Sequence, residues 1–176
     1  MITPRLETPR LLLRLAKITD AQAIYANWTA DPEVSQFMRW EAHGSVNETT
    51  TWLTDVTAKA DDPNSYDWLF VLKETGQPIG SGGIYFNEKH GMFELGYCLM
   101  KACWGRGFAV EASQAILQFA TDTLNQREFF ACHADINPAS GKVLEKLGFV
   151  YKNDGEYSSF DGSRVFKSHR YFLKVL

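Results

Sequence analysis

Three groups of residues in this chain could do chemistry together. The first is Trp104-Gly-Arg-Gly-Phe-Ala-Val-Glu-Ala112, a glycine-bearing turn between an apolar strand and an apolar helical run. Gly105 and Gly107 carry no Cβ, so the backbone there can come close to a ligand. The helix that opens at about Ala109 presents unpaired N–H groups and the positive end of its dipole, a natural seat for phosphate. The second group is Asn137-Pro-Ala-Ser140, a polar opening to the next helix that is equally an ordinary cap. The third is Glu94 in Phe93-Glu-Leu-Gly-Tyr-Cys-Leu-Met100. Strand alternation puts Glu94 with Gly96 and Cys98, opposite Phe93, Leu95, Tyr97 and Leu99. It matters chemically only if its face lines the cleft that leads to the anion seat.

The elements that must position these groups follow from pattern and punctuation. Leu11–Leu15 predicts a first strand, and Thr19 or Asp20 caps a helix carrying Ala23, Ile24 and Trp28. Asp31-Pro32 opens a second short helix with Val34, Phe37 and Met38 on one side. Ser45-Val-Asn-Glu48 matches a capping box before Thr49, Trp52, Leu53 and Val56 at helical spacing. Trp68–Leu72, Ile79–Phe86 and Met92–Leu99, joined by short turns, read as an antiparallel meander. Gly80, Gly82 and Gly83 inside the middle strand imply a bulge or a close approach by another segment. Beyond the glycine turn come a helix with Val110, Ala115, Ile116, Phe119 and Ala120 on one face, a strand over Glu128–Ile136, and a helix from Asn137 to Leu147. Gly148 is its left-handed C-cap, and Phe149–Lys152 and Arg164–Val175 close the chain as strands. The expected fold is one α/β domain over residues 1–176, with a mixed, mostly antiparallel sheet and helices between its strands.

Bulk properties exclude several classes. A chain of 176 residues suits one domain with a sizeable core. A net charge of −3 gives no electrostatic footprint for nucleic acid. No apolar run approaches the roughly 18 residues of a membrane span, and the N-terminus lacks the apolar core of a signal peptide. Cys98, Cys103 and Cys132 form no C-x-x-C pair, which points to a reducing cytoplasm rather than a disulfide framework. His43, His90, His133 and His169 show no metal spacing. The glycine turn lacks the lysine of a Walker loop, and Val110 breaks the dinucleotide fingerprint, which disfavours a nucleotide-dependent oxidoreductase.

Taken together, Glu94-Leu-Gly-Tyr97, Trp104 to Ala112 and Asn137-Pro-Ala-Ser-Gly-Lys-Val-Leu-Glu-Lys-Leu-Gly-Phe149 resemble the Gcn5-related N-acetyltransferase (GNAT) superfamily. The match is nearest to the group that acetylates N-terminal serine or alanine of ribosomal proteins, which the opening Leu6-Glu-Thr-Pro-Arg-Leu-Leu-Leu-Arg14 also resembles. The resemblance implies a sheet splayed at a cofactor cleft with helices on both faces. It implies acetyl-CoA as cosubstrate and no metal. Backbone N–H groups of Gly105, Arg106, Gly107, Phe108, Ala109 and Val110 would hold the pyrophosphate, with the Arg106 side chain near its charge. Leu99 and Met100 would lie along the pantetheine arm. Asn137 and Ser140 would face the sulfur. Trp104 departs from the Gln or Arg common in the family, and Leu144 stands where many members carry a tyrosine acid, so Ser140 takes the role of donor to the leaving thiolate.

Amine acetylation needs a neutral amine, and Glu94 is the expected base, acting directly or through water. Arg39–Gly44 is the expected acceptor entrance. The acceptor implied is a protein N-terminal α-amine, with ribosomal proteins as the model. A small amine (polyamine, amino sugar or amino acid) is the same-chemistry alternative, and a non-catalytic CoA-binding module is a different class. A homodimer is expected from the resemblance alone.

Overall fold

The computed structural model describes residues 2–176. Eight strands form one sheet: β1 (Leu6–Glu7), β2 (Leu11–Arg14), β3 (Ser65–Leu72), β4 (Pro78–Asn87), β5 (Met92–Leu99), β6 (Glu128–Ala134), β7 (Val150–Ser158) and β8 (Val165–Lys174). Their order is β1-β2-β3-β4-β5-β6-β8-β7. Every neighbouring pair is antiparallel except β5 and β6, which run parallel. β1 is an added edge that the sequence pattern does not announce. β7 runs well past Lys152, because pairing with β8 carries its polar residues to Ser158.

Helices cover both faces. On one lie α1 (Ala21–Ile24, widening into a π turn over Tyr25–Thr29), α2 (Pro32–Ser35) and α3 (Val46–Ala58). They bury Ile24, Trp28 and Leu53 against Leu69 and Val71 of β3. On the other lie α4 (Phe108–Asp122) and α5 (Pro138–Lys146), whose Phe108, Ala112, Ile116 and Leu144 pack on Tyr66, Trp68, Phe70, Leu95 and Phe129. β3 thus sends alternate side chains to two separate cores, the consequence of its period of two. Ser45 does begin α3, but its side chain makes no cap bond; Glu48 accepts instead from the N–H of Gly44, 2.9 Å away. The expected capping box is therefore not formed.

The glycines of β4 answer to crowding. A Cβ on Gly80 would stand 2.2 Å from the Cys98 carbonyl, and one on Gly83 would stand 2.0 Å from that of Tyr66. Both flanking strands press on β4, and its pairing with β3 shifts register at Phe70/Val71. That compression holds β5 firmly on one side. Its other side is different: β5 pairs with β6 only at Phe93 and Glu94. From Leu95 to Leu99 the two parallel strands part, and the sheet is split.

Candidate active site

The split turns a strand edge into a binding edge. The N–H of Met100 donates to the Ile79 carbonyl at 2.8 Å. Ladder alternation then directs the backbone groups of Glu94, Gly96 and Cys98 to β4, and those of Leu95, Tyr97 and Leu99 into the split. A row of unpaired strand groups is a template for an extended ligand. The Leu99 carbonyl is already taken by the Trp104 indole N–H at 2.8 Å, which ties the glycine turn back to the strand end. Trp104 therefore has a structural task here. Met100 has its N–H on Ile79 and its carbonyl on the N–H of Cys103, so only its side chain is left to meet a ligand.

The glycine turn follows directly. Gly105 and Gly107 both sit at positive φ, 72° and 80°, where any other residue is strained. Gly107 is the N-cap of α4 and supplies no side chain, and the first ladder bond is from the Glu111 N–H to the Gly107 carbonyl. Among the described residues, no turn or cap bond uses the N–H groups from Gly105 to Val110. They remain available to an anion at the positive end of a 15-residue helix. The helix starts at Phe108, one residue before the expected opening, and Phe108 itself is buried beneath the turn.

An unforeseen brace holds this turn. The Glu111 carboxylate accepts from the Thr8 hydroxyl (2.6 Å), the Arg10 N–H (2.8 Å) and Arg10 Nε (2.6 Å). Arg10 then donates from Nη1 to the Arg106 carbonyl at 3.0 Å and stacks over Phe108. Burial opposes ionisation of Glu111, but the hydrogen bonds from Thr8 and Arg10 outweigh it and hold the carboxyl below its usual range. The Arg106 guanidinium lies over the same ring, 5.0 Å from its centroid.

α5 delivers Ser140 to the split from the α4–α5 face. Asn137 is its N-cap, with Oδ1 accepting from the Ser140 N–H at 3.4 Å, and Pro138 occupies the first helical position. The Ser140 hydroxyl lies 3.0 Å from the hydroxyl of Tyr97, which also donates to the Ser140 carbonyl at 3.3 Å. Burial pushes the Tyr97 phenol up to about 12, Ser140 opposing, so it stays protonated at neutral pH. The phenol has one proton: with it on Ser140 Oγ the serine proton is free to point elsewhere, and with it on the carbonyl the serine donates to the phenol oxygen. Leu144 is fully buried in the core and has no polar group to offer. Strand alternation places Tyr97 only on the apolar face; the one signal available for its role is that a phenol turned towards a core needs a hydrogen-bond partner.

The helix can come this close because of Gly141, where a Cβ would stand 2.8 Å from His133 Nε2. His133 is buried, with Nδ1 on the Ala134 carbonyl at 2.7 Å. A carbonyl only accepts, so Nδ1 carries the proton and Nε2 faces Gly141 unpaired.

Glu94 occupies the other face of the same strand. Its carboxylate accepts from Asn87 Nδ2 at 2.7 Å, lies 3.5 Å from Arg39 Nη2, and receives the Cys132 thiol at 3.7 Å. It is half-buried rather than solvated. Arg39 stacks over Tyr157, whose hydroxyl donates to the Phe37 carbonyl at 2.7 Å. Arg164 donates to the carbonyls of Met38 and Trp40 and pairs with Glu41. The loop over residues 36–44, which holds the expected entrance segment Arg39–Gly44, is thus fastened to the β7–β8 hairpin through residues 36–41 and brings Arg39 onto Glu94. The Cys132 thiol is pushed up to about 12 by burial and by Glu94. A thiol held protonated is a poor nucleophile.

Glu94 and Ser140 therefore approach one strand from opposite faces and can meet a common reacting group only through the split. An open, mixed α/β sheet parted between two parallel strands, with a glycine turn and helix N-terminus at the mouth, makes a cleft with an anion seat at one end. Residues 10–150 match the family model described as acetyltransferase (GNAT) domain, and the chain belongs to that family. It is 30% identical over 145 residues to the uncharacterized N-acetyltransferase p20 of Bacillus licheniformis, covering 82% of this chain and 81% of that one. Its fold is shared by the ribosomal-protein-S5-alanine acetyltransferase of Vibrio fischeri, with TM-score 0.81, 17% identity and coverage of 97% and 96%. It is shared too by the microcin C7 self-immunity acetyltransferase MccE, solved with acetyl-CoA and AMP, with TM-score 0.82, 13% identity and coverage of 96% and 94%. At those identities the likeness is one of fold. GNAT acetyltransferases take an acyl-CoA and an amine, and this chain is an acetyltransferase of that type.

Proposed function

We propose that this protein transfers the acetyl group of acetyl-CoA to a protein N-terminal α-amine, such as that of a ribosomal protein, working in the cytoplasm as one domain over residues 1–176. The observation that carries the reading is the placement of Glu94 and Ser140 on opposite faces of β5 at the β5–β6 split. Acetyl-CoA supplies an activated thioester when bound. The residues present fit it: free N–H groups from Gly105 to Val110 for the pyrophosphate, the Arg106 guanidinium beside them, and the unpaired edge of β5 ending at Leu99 for an extended arm. The Met100 side chain and Asn137 complete the walls.

Glu94 takes the proton of the incoming amine, directly or through water, oriented by Asn87 and Arg39. The split-facing N–H of Leu99 is aimed where negative charge develops on the acyl oxygen. Ser140, its hydroxyl set by Tyr97, donates to the departing sulfur. No covalent step through Cys98, Cys103 or Cys132 is needed, and burial raises all three thiols. Acetylation of a small amine uses the same residues and is the second reading, supported by the common chemistry. The expected homodimer rests on the family resemblance. The test is a mass-spectrometric screen of ribosomal-protein N-terminal peptides against polyamines, amino sugars and amino acids with acetyl-CoA. Acetylated peptide is the expected result; turnover of small amines alone would transfer the reading to the alternative.

A further inference from the structure

Arg170 on β8 stands out on the acceptor face. Register pairs it with Cys132 of β6, so it shares the face of Cys132, Glu94 and Tyr157. Its guanidinium is laid across Gly155 of β7: a Cβ there would be 2.1 Å from Nε and 2.2 Å from Cζ. Only glycine admits this pose. Arg39 and Arg164 of the same groove have carboxylate partners in Glu94 and Glu41, whereas Arg170 has none among the described residues. The nearby carboxylates of the hairpin, Asp154 and Glu156, alternate onto the opposite face, where Asp154 pairs with His169 at 2.7 Å. A half-buried planar cation without a partner, held flat in a fixed place, is suited to a carboxylate brought by a ligand.

Spacing narrows the ligand. Glu94 is on β5 and the guanidinium lies over β7, three strands away in the order β5-β6-β8-β7. The Glu94 carboxylate already reaches Cys132 on β6, so its distance to the guanidinium is nearer two strand spacings, roughly 10 Å at about 4.8 Å each. The α-carboxylate of a free amino acid is far too near its amine to reach. An extended chain advances about 3.3–3.6 Å per residue, which brings the side chain of the third or fourth residue there. We infer that Arg170 is a specificity determinant that selects acceptor N-termini with Asp or Glu at the third or fourth residue.

This rests on the N-terminal-amine reading, and the experiment separates the two. Peptides matched in all but one position, with Asp or Glu against Asn or Gln at residues 2, 3 and 4, are compared by kcat/KM in the wild type, Arg170→Gln, Arg170→Lys and Gly155→Ala. The expected result is at least a tenfold preference for the acid at residue 3 or 4. That preference falls towards one in Arg170→Gln, is partly kept in Arg170→Lys, and weakens in Gly155→Ala, which keeps the charge but displaces it. The KM for acetyl-CoA, read in parallel, reports whether each variant is folded. Peptides acetylated without acid preference, or with a preference that Arg170→Gln leaves intact, overturn the role of Arg170 while the N-terminal reading stands. Acetylation of small amines but of no peptide overturns both.

Discussion

The two faces of β5 are built by different means. On the α4–α5 face, almost everything at the split is backbone: N–H groups of a turn, an unpaired strand edge and a helix start, set by Gly105, Gly107 and Asn137 within short stretches of chain. On the α1–α3 face, the site is side chains gathered from distant segments: Glu94 from β5, Asn87 from the β4 end, Arg39 from a helix-linking loop, and Tyr157 and Arg164 from the last hairpin. The first face suits a donor whose handle is always the same. The second can be rebuilt by changing a few side chains, which is where acceptor choice belongs.

Variants that touch one face should leave the signature of the other alone. The largest effect is expected from Glu94→Gln, which keeps the shape and the bond from Asn87 but removes the base. The kcat should fall roughly 100- to 10,000-fold, the usual range for a lost general base, with the KM for acetyl-CoA little changed. A rise in that KM instead would place Glu94 on the donor side. Next comes Gly107→Val, which forces a β-branched residue to φ 80° at the N-cap of α4. Strain of about 1–3 kcal/mol, released by opening the turn, should weaken acetyl-CoA binding roughly tenfold or more without altering selectivity among acceptors.

Ser140→Ala should lower kcat by roughly 10- to 1,000-fold, on the scale of losing one donor to a developing charge. Tyr97→Phe should cost less, about tenfold at most, because it removes one hydrogen bond of about 1 kcal/mol and leaves Ser140 in place. If Tyr97→Phe proves the more damaging, the phenol and not the serine is the proton donor. The smallest effect concerns stability. Burial holds the folded His133 imidazole below its ordinary range. The unfolded chain therefore binds the proton more readily, and the contribution is full above about pH 6.5 and lost as pH falls towards the folded value. Thermal melting followed between pH 7.5 and 5 should show a decline that His133→Gln flattens.

Legibility in the sequence followed the same division. The glycine turn, α5 and the meander could be read because their determinants are neighbours: positive-φ glycines, Asn137 capping Ser140, alternation along β5. Gly148, at φ 88°, ends α5 as expected. What could not be read depends on contacts between remote positions. Arg39 meets Glu94 across 55 residues of chain, and the Thr8–Arg10–Glu111 brace spans about a hundred. Tyr97 was hidden by its own alternation, which marked it for the core and said nothing of the hydroxyl that reaches Ser140. β7 beyond Lys152 is too polar to announce itself as a strand and is held by its partner β8.

The division of labour across the split is tested most directly by calorimetric titration of acetyl-CoA into the wild type, Glu94→Gln and Gly107→Val. Glu94→Gln should bind as tightly as the wild type while Gly107→Val binds roughly tenfold or more weakly. Wild-type affinity in Gly107→Val, or loss of binding in Glu94→Gln, would contradict that division.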